Sequence, residues 1–361
     1  MTDVAMAPPR RSSSPIRWAR NNLFNTWYNT ILTLLIGYLL VTNIVPVLNW
    51  LFLQASFSGT SPADCVGEGA CWVFVNQRLN FFIYGFYPDP LQWRVDIMFA
   101  LLAITFVPQF IERFPGRRLI GVVGMVALLV FGAILIPGGL FGLEAVPSSK
   151  WGGLMLTLII AYIGILASLP IGILLALGRR SHMPVIRGIC VVFIEVWRAV
   201  PLITVLFMAS VMLPLFLPEG MNFDKLLRAL IGITLWQSAY MAEVIRGGLQ
   251  AIPRGQYEAA QALGLGYWRR TGLIILPQAL KLVIPGIVNT FIMLFKDTTL
   301  VLIIGLFDVL GAVQSTITDP AWQNVAVEGY VFVAFCFWVF CFGISRYSQN
   351  LERKLDTGHK H

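Results

Sequence analysis

The residues able to do chemistry are scattered along this 361-residue chain in a way that argues against catalysis. The sequence contains no G-x-x-x-x-G-K-[ST] phosphate loop, no set of nucleophile, histidine and carboxylate, and no paired-histidine zinc motif. Its three histidines, His182, His359 and His361, do not cluster with the cysteines, so no metal site is expected. We therefore expect that the chain is not an enzyme, with a membrane enzyme as a minor alternative.

Polar side chains recur inside two long apolar segments. At about 100° per residue, several polar residues of each segment fall on one arc of a helix, while Glu243 points elsewhere. The members of the arcs include Gln237, Ser238 and Tyr240 in the segment Leu226–Ile245, and Asn289 and Lys296 in and just after the segment Gln278–Phe295. Because polar groups in a membrane usually face a bundle interior or a cavity, these arcs could line a path for a polar solute. Interhelical hydrogen bonding is the alternative, favoured less for Gln237 and Asn289 and equally for Ser238.

One pair of opposite charges lies within another apolar segment. Glu195 and Arg198 are three residues apart, a spacing that lets two side chains meet along a helix. Because an unpaired charge in a span costs about 3 kcal/mol, we predict a structural ion pair. A gate, or a contact to a partner, is the alternative.

The elements that position these residues are predicted from composition. The chain is 57% hydrophobic and 12% charged, whereas soluble domains are about 25% charged. Since a spanning helix needs about 20 mostly apolar residues, we predict an all-α polytopic membrane protein with eight transmembrane helices. They are approximately Thr30–Phe52, Val95–Ile111, Leu119–Pro137, Gly152–Gly178, Ile189–Phe216, Leu226–Ile245, Gln278–Phe295 and Val325–Ile344.

The distribution of lysine and arginine predicts the orientation. Basic residues concentrate before the first span and after the second, fourth, sixth and eighth, and cytoplasmic loops collect such residues. Both termini are therefore expected in the cytoplasm, with residues 1–27 as a flexible tail. The net charge of +8 is then a feature of topology, and nucleic acid is not expected as a partner.

Two of the five cysteines fall in the first outside loop, residues 54–93. Cys65 and Cys71 are separated by five residues, and an oxidising exterior makes a local disulfide the favoured interpretation. Two free thiols are the alternative.

A charged segment with small side chains lies between the sixth and seventh spans, on the cytoplasmic side. The run GQYEAAQAL is rich in helix formers, and Gly264 follows it where a C-cap glycine belongs. A second short helix is predicted from about Tyr267 to Ile275. Because Ala259, Ala260 and Ala262 carry little bulk, the pattern predicts a hairpin on which another protein docks. An amphipathic loop on the membrane surface is the alternative.

These residues carry a resemblance. The run Glu258-Ala259-Ala260, then Gly264, Ile274 and Leu276-Pro277, matches the EAA signature of bacterial ABC-importer permeases. From about Gly152 onward the chain resembles the polar amino-acid uptake family. Its layout is similar to the larger permease subunit of general L-amino-acid and glutamate/glutamine/aspartate/asparagine transporters. One departure is Arg198-Ala199-Val200-Pro201-Leu202, where most relatives have Arg-Gly-Thr-Pro-Leu.

The resemblance implies a fold and a function for the hairpin. The fold is a five-helix type I permease core, residues 151–361, preceded by three extra helices in 28–150. The segment 247–276 would be a coupling hairpin seated in a cytoplasmic ATPase. The hairpin residues expected to act in this coupling are Arg254, Glu258, Ala259, Ala260, Gly264 and Leu265.

Partners also follow from the resemblance. It implies an ABC ATPase dimer, a related second permease, a periplasmic amino-acid-binding protein and the lipid bilayer of the bacterial inner membrane. This chain would bind no cofactor itself, because ATP and Mg belong to the ATPase. The expected function is that of a transmembrane permease subunit of an ATP-driven importer of L-amino acids, polar or broad in range.

Two other functions stay open on the sequence. One is a permease for an amino-acid-like solute such as an opine. The other is a secondary transporter or channel without an ATPase, which would leave the EAA hairpin unexplained. The three extra helices are expected to pack at the periphery, with recruitment of the binding protein as the alternative.

Overall fold

The computed structural model describes residues 14–65, 67–111, 114–216, 218, 223–322 and 324–355. Over these residues the regular secondary structure is entirely helical, apart from two isolated β-bridges. The predicted all-α class is therefore confirmed. Six helices are long and apolar enough to cross a membrane, or seven if one bent pair counts as a single span. The chain divides into two compact units, Met1–Asn76 and Gln77–His361.

The first unit contains helix α1, Pro15–Asn22, and helix α2, Trp27–Leu48, which a π-helical turn extends to Leu53. Helix α2 lies where the first span was predicted. The tail predicted as flexible is in part a helix, because Ser14 caps α1 by accepting a hydrogen bond from the Arg17 amide and Pro15 occupies the first turn. The remainder of that prediction, residues 1–13, lies outside the described residues.

The loop that follows α2 is folded on itself. Cys65 and Cys71 form a disulfide in the structure. Asp64 accepts hydrogen bonds from the backbone amides of Thr60, at 2.7 Å, and Ser61, at 2.8 Å. These two amide donors hold the pKa of the Asp64 carboxyl below its usual value. The loop therefore has local order that its polar composition did not predict.

Helix α3, Trp72–Tyr84, crosses the boundary between the two units and was not predicted. In the second unit, helix α4, Trp93–Phe110, and helix α5, Arg117–Leu135, are the second and third predicted spans. Buried Arg94 of α4 donates to the Glu144 carbonyl at 2.8 Å. This bond anchors the start of α4 to the loop between α5 and the helix that begins at Gly153.

The next four helices include a sharp break. They are α6, Gly153–Arg179; α7, Pro184–Ala199; α8, Leu202–Phe207; and, after a π-helical turn, α9, Leu213–Phe216. The continuous fifth span predicted for Ile189–Phe216 is wrong, because α7 and the segment from Leu202 meet at 101°. Pro201 explains the break: it has no amide hydrogen, and the residue before it, Val200, is extended.

Seven further helices complete the chain. They are α10, Lys225–Ala251; α11, Arg254–Ala262; α12, Tyr267–Arg270; α13, Leu276–Leu282; α14, Ile284–Asp297; α15, Val309–Ile317; and α16, Ala326–Leu355. A π-helical turn, Thr271–Ile275, joins α12 to α13, so the second arm of the hairpin runs directly into the next span. That predicted seventh span is interrupted at Val283, between α13 and α14, where Pro285 enters the first turn of α14.

The most extensive contact between two helices of the second unit joins α6 and α10. Small residues recur on α6 at every fourth position: Gly164, Ser168, Gly172 and Ala176, and all four are buried. A Cβ placed on Gly172 would lie 2.7 Å from Met241 Cγ and 3.2 Å from the Ala242 nitrogen. Repeats of small residues let helix backbones approach closely within a membrane. The contact between α6 and α10 thus depends on the absence of side chains.

Gly172→Val should break this contact, whereas Gly343→Val on α16 should not. The first substitution places two methyl groups against Met241, while a Cβ at Gly343 meets nothing within 4 Å. We expect Gly172→Val to lower the free energy of unfolding by about 1–3 kcal/mol more than the control, as overpacking does. Unfolding of both purified variants by SDS measures the difference. Equal losses would show that the substitution acts through helix propensity alone.

Candidate functional site

The hairpin begins with a helix that ends in a specific backbone motif. Gly264 follows α11 with φ of 73°, the left-handed conformation that glycine adopts without strain. The Gly264 amide donates to the Gln261 carbonyl at 2.9 Å, and the Leu265 amide donates to the Ala260 carbonyl at 3.2 Å. These two bonds form a Schellman motif, which terminates the helix and turns the chain. The glycine predicted at this point is therefore required by the turn itself.

The hairpin presents one face outward and buries the other. Glu258 and Ala259 are exposed, as are Ala262 and Arg254, whereas Ala260 is only 1% exposed. Ala260 was predicted to contact a partner, and the structure instead packs it inside the chain. Leu265 is half-buried. The three alanines thus serve two purposes, with Ala259 and Ala262 on the exposed face and Ala260 packed inside the chain.

Two large apolar side chains at the tip of the hairpin were missed by the sequence analysis. Leu263 is 76% exposed and Trp268 is 73% exposed. Contiguous exposed apolar side chains are typical of surfaces that contact another protein or a membrane. The sequence signal was available, because both residues flank the glycine pair that was singled out.

One tyrosine ties the hairpin to the bundle. The Tyr257 hydroxyl donates to the Leu249 carbonyl of α10 at 3.1 Å and accepts from Arg180, just after α6, at 3.2 Å. The Arg180 guanidinium also lies over the Tyr257 ring, 5.8 Å from its centre. A further bond, at 3.2 Å, runs from Gln278 of α13 to Gln256 of α11. The hairpin is therefore connected to three helices of the bundle.

Beside the hairpin, one carboxylate gathers three guanidinium groups. Glu243 of α10 contacts Arg179 of α6 at 2.9 Å, Arg246 at 2.8 Å and Arg198 of α7 at 3.8 Å. Arg179 also contacts Glu195 of α7 at 2.8 Å. This ion cluster, comprising these five residues, joins the last turn of α6 to the C-terminal parts of α7 and α10.

The ion cluster corrects one prediction. Glu195 and Arg198 were expected to pair with each other, and they do not: each has a partner on a different helix. The helical spacing between them was right, but tertiary contacts compete with local ones. Glu243 and Arg179 are 64 residues apart, so no local pattern could have paired them.

Two residues proposed for a substrate path are buried instead. Gln237 is 1% exposed and donates to the Thr290 carbonyl of α14 at 2.8 Å. Ser238 is fully buried and donates to the Thr234 carbonyl one turn earlier, at 2.6 Å. The structure therefore uses both side chains within the helix packing, as the alternative interpretation held, and neither faces an open path in this structure.

Tyr240 has a different task at the break between α7 and α8. Its hydroxyl donates to the Arg198 carbonyl at 3.4 Å, and Trp236 Nε1 donates to the Val200 carbonyl at 3.0 Å. The break leaves these carbonyls without helical partners, and unsatisfied carbonyls are costly in a membrane. Side chains of α10 therefore satisfy the backbone where α7 ends.

The other two path candidates lie on an exposed stripe of α14. Asn289 and Lys296 are exposed, together with Pro285 and Met293 at helical spacing. Two polar side chains on the surface of a membrane helix indicate a wet cavity or a protein interface rather than lipid. Among the described residues, no group of three or more His, Cys, Asp or Glu side chains could hold a metal ion.

Comparison with known proteins places this geometry in a family. Residues 168–357 match the model of the binding-protein-dependent transport system inner membrane component. The chain is 54% identical to the inner membrane amino-acid ABC transporter permease protein YhdY of Escherichia coli strain K12, over 99% of both chains. It is 41% identical to the glutamate/glutamine/aspartate/asparagine transport system permease protein BztC of Rhodobacter capsulatus, over 96% of this chain and 94% of that one.

A solved structure agrees with these relatives. The crystal structure of an amino acid ABC transporter with histidines matches with a TM-score of 0.50 and 29% sequence identity. The match covers 56% of this chain and 92% of that chain.

Glu243→Gln should destabilise the chain more than Glu195→Gln. Glu243 is 16% exposed and faces three guanidinium groups, whereas Glu195 is 54% exposed and meets one. We expect a loss of about 1.5–3 kcal/mol for the first substitution, as for hydrogen bonds to charged groups, and at most about 1 kcal/mol for the second. SDS unfolding of the two purified variants measures both values. Equal losses of stability in the two variants would mean that the additional arginine contacts of Glu243 do not stabilise the bundle.

Proposed function

Because the chain belongs to the family of inner membrane components of binding-protein-dependent transport systems, we propose that it carries polar L-amino acids across the bacterial inner membrane. The family membership confirms the resemblance described from the sequence. The chain is a multi-pass permease subunit of an ATP-driven amino-acid importer. A separate subunit of the importer hydrolyses ATP, so this chain is not an enzyme.

Polar amino acids are supported by one relative and one surface. The 41% identical BztC protein is named for glutamate, glutamine, aspartate and asparagine. On α14, Asn289 offers an amide and Lys296 an ammonium group on the same exposed stripe. An amide supplies both donors and an acceptor, and an ammonium group binds a carboxylate. We propose that this stripe lines the translocation path.

The proposed topology has eight spans. Six helices qualify by length and apolar character, and the bent pair formed by α7 and the segment Leu202–Phe216 is the seventh. Helix α10 is the eighth: at 1.5 Å per residue its 27 residues extend about 40 Å, more than the hydrocarbon core requires. The polar residues in its middle, Thr234, Gln237 and Ser238, are buried. The alternation of basic loops supports both termini in the cytoplasm.

The exposed hairpin is the observation that carries the proposed coupling. The family implies an ATPase and a substrate-binding protein as partners. We propose that α11 and the hairpin tip dock in the ATPase, which binds the ATP and Mg, through Glu258, Ala259, Leu263 and Trp268. A related second permease would complete the path opposite the α14 stripe.

The contacts around the hairpin provide a route for motion. Displacement of α11 acts on α10 through the Tyr257 bond to Leu249, and on the end of α6 through Arg180. The ion cluster then joins α6 and α10 to α7. ATPase closure that moves the hairpin would therefore move three helix ends together rather than one loop.

The outside loop completes the proposal. By the topology above, Cys65 and Cys71 lie in the oxidising periplasm, where their disulfide would be stable. Alkylation of the unreduced, denatured protein should therefore label neither cysteine, and labelling should reach both after reduction. Labelling of both without reductant would contradict the proposed bridge.

Gly264→Asp should abolish coupling while leaving the chain inserted. A Cβ at Gly264 meets nothing within 4 Å in this chain, so the effect must come from the left-handed backbone or from the partner. Gly264→Asn is the matched control, because asparagine has the same size and tolerates this backbone conformation. For a docking surface of hot-spot quality we expect the aspartate to weaken ATPase binding about 30-fold, with uptake lost.

Co-purification of the ATPase and uptake in vesicles measure these two effects. The asparagine variant should retain more ATPase binding and more uptake than the aspartate variant. Normal uptake by Gly264→Asp would exclude docking at this turn.

Asn289→Leu should lower uptake without lowering the stability of the fold. Gln237→Leu should lower the stability without lowering uptake per assembled complex. Asn289 is exposed on the proposed path, whereas Gln237 is buried and bonded to Thr290. Loss of a substrate contact of about 1.5 kcal/mol corresponds to about a tenfold fall in uptake per assembled complex. Loss of an interhelical bond costs about 0.6 kcal/mol on average.

Uptake normalised to assembled complex, together with SDS unfolding, separates the two roles. If Asn289→Leu carries substrate at the wild-type rate, the α14 stripe is a structural interface.

A further inference from the structure

A large basic cavity lies beside the hairpin. Its volume is about 890 Å³, and it is formed by the ends of α6 and α10 and the start of α7. Four arginines and a histidine line it, namely Arg179, Arg180, Arg187, Arg246 and His182. No acidic side chain is present among the described residues that line the cavity. The cavity is therefore built to receive negative charge.

The positive charge of the cavity is only partly balanced inside the chain. Arg179 and Arg246 share Glu243, and Arg180 bonds the hydroxyl of Tyr257. Arg187 is exposed and has no carboxylate within 4 Å in the part of the chain that the structure describes. A guanidinium group presents paired donors that match the oxygens of a phosphate. Arg180 and Arg187 are thus the side chains left to bind an anion.

The α7 wall of the cavity shows which kind of anion fits. Gly188 lines the cavity, while the adjacent face of α7 carries an apolar stripe. This stripe consists of Val185, Ile189, Val192 and Val196, which are 73%, 65%, 63% and 53% exposed. An anionic site that continues into an exposed apolar face is complementary to a molecule with a phosphate at one end and acyl chains at the other. Basic pockets between helices at the cytoplasmic side are suited to such headgroups.

We infer that this cavity binds the phosphate of an anionic phospholipid from the cytoplasmic leaflet, through Arg180 and Arg187. The inference is independent of which solute the permease carries. It has a consequence for the hairpin, because the guanidinium that would hold the phosphate is the one that bonds the Tyr257 hydroxyl. Lipid bound here and the seating of α11 would therefore share one side chain.

The test uses the full-length chain, purified in a mild detergent. Binding of a fluorescent phosphatidylglycerol is titrated for the wild type, for Arg187→Gln and for Arg118→Gln. Arg118 is the matched control: it is an exposed arginine in the first turn of α5, on the same proposed side of the membrane and away from the cavity lining. Unlabelled phosphatidylglycerol, phosphatidylcholine and inorganic phosphate are the competitors.

We expect Arg187→Gln to weaken phosphatidylglycerol binding about fivefold, the effect of one basic residue at a membrane surface, and Arg118→Gln to leave it unchanged. Only unlabelled phosphatidylglycerol should compete. Equal weakening by both substitutions would show general attraction to the basic side and overturn the site. Competition by inorganic phosphate as strong as that by phosphatidylglycerol would make it a site for a free anion, and competition by phosphatidylcholine would make it an acyl-chain site. Either result overturns the inference.

Discussion

The close approach of α6 and α10 is the contact on which the rest of the permease core depends. Four buried small residues, from Gly164 to Ala176, follow one stripe of α6, and Gly172 lies directly against Met241 and the Ala242 backbone of α10. In a membrane, where apolar side chains gain nothing by leaving lipid for another helix, such close packing supplies much of the attraction. Helix α14 then docks on this pair through Leu294, which meets Gly164, and through the Gln237 bond to Thr290. The position of the proposed α14 stripe is thus set by the α6–α10 contact.

Charge is concentrated at one end of this pair. The five charged side chains of the ion cluster lie on the C-terminal parts of α6, α7 and α10, and Glu243 alone faces three arginines. Within a span such charges would be expensive, and at its edge they are partly solvated and paired. The arrangement fixes helix ends that the small-residue contact leaves free to splay. Packing and electrostatics therefore act at different depths of the same bundle.

Sequence reasoning succeeded where the physical signal was local. Six spans, the α11 helix and the turn at Gly264 followed from apolar length, helix propensity and the conformational freedom of glycine. The EAA spacing then identified the family. The break at Pro201 was also a local signal and was overlooked, because the apolar run continued through it.

What the sequence could not provide was the choice among partners. Whether Gln237 faces a path or a neighbouring carbonyl depends on how α10 and α14 meet, and the arc of a single helix cannot decide this. The pairing of Glu195 failed for the same reason, since Arg179 competes with Arg198 from another helix. Ala260 was assigned to a partner because exposure of a helix face cannot be derived without the surface on which the helix rests.

The break between α7 and α8 has a consequence for biosynthesis. The carbonyls freed there, on Arg198 and Val200, find their donors on Tyr240 and Trp236, which are made later by the ribosome. While the chain emerges, α7 through α9 precede those donors, and bare carbonyls cannot face lipid without a cost of several kcal/mol. The two side-chain hydrogen bonds that satisfy the bend can therefore form only after α10 has been made. The order of synthesis makes α10 the element that closes the fold of the segment before it.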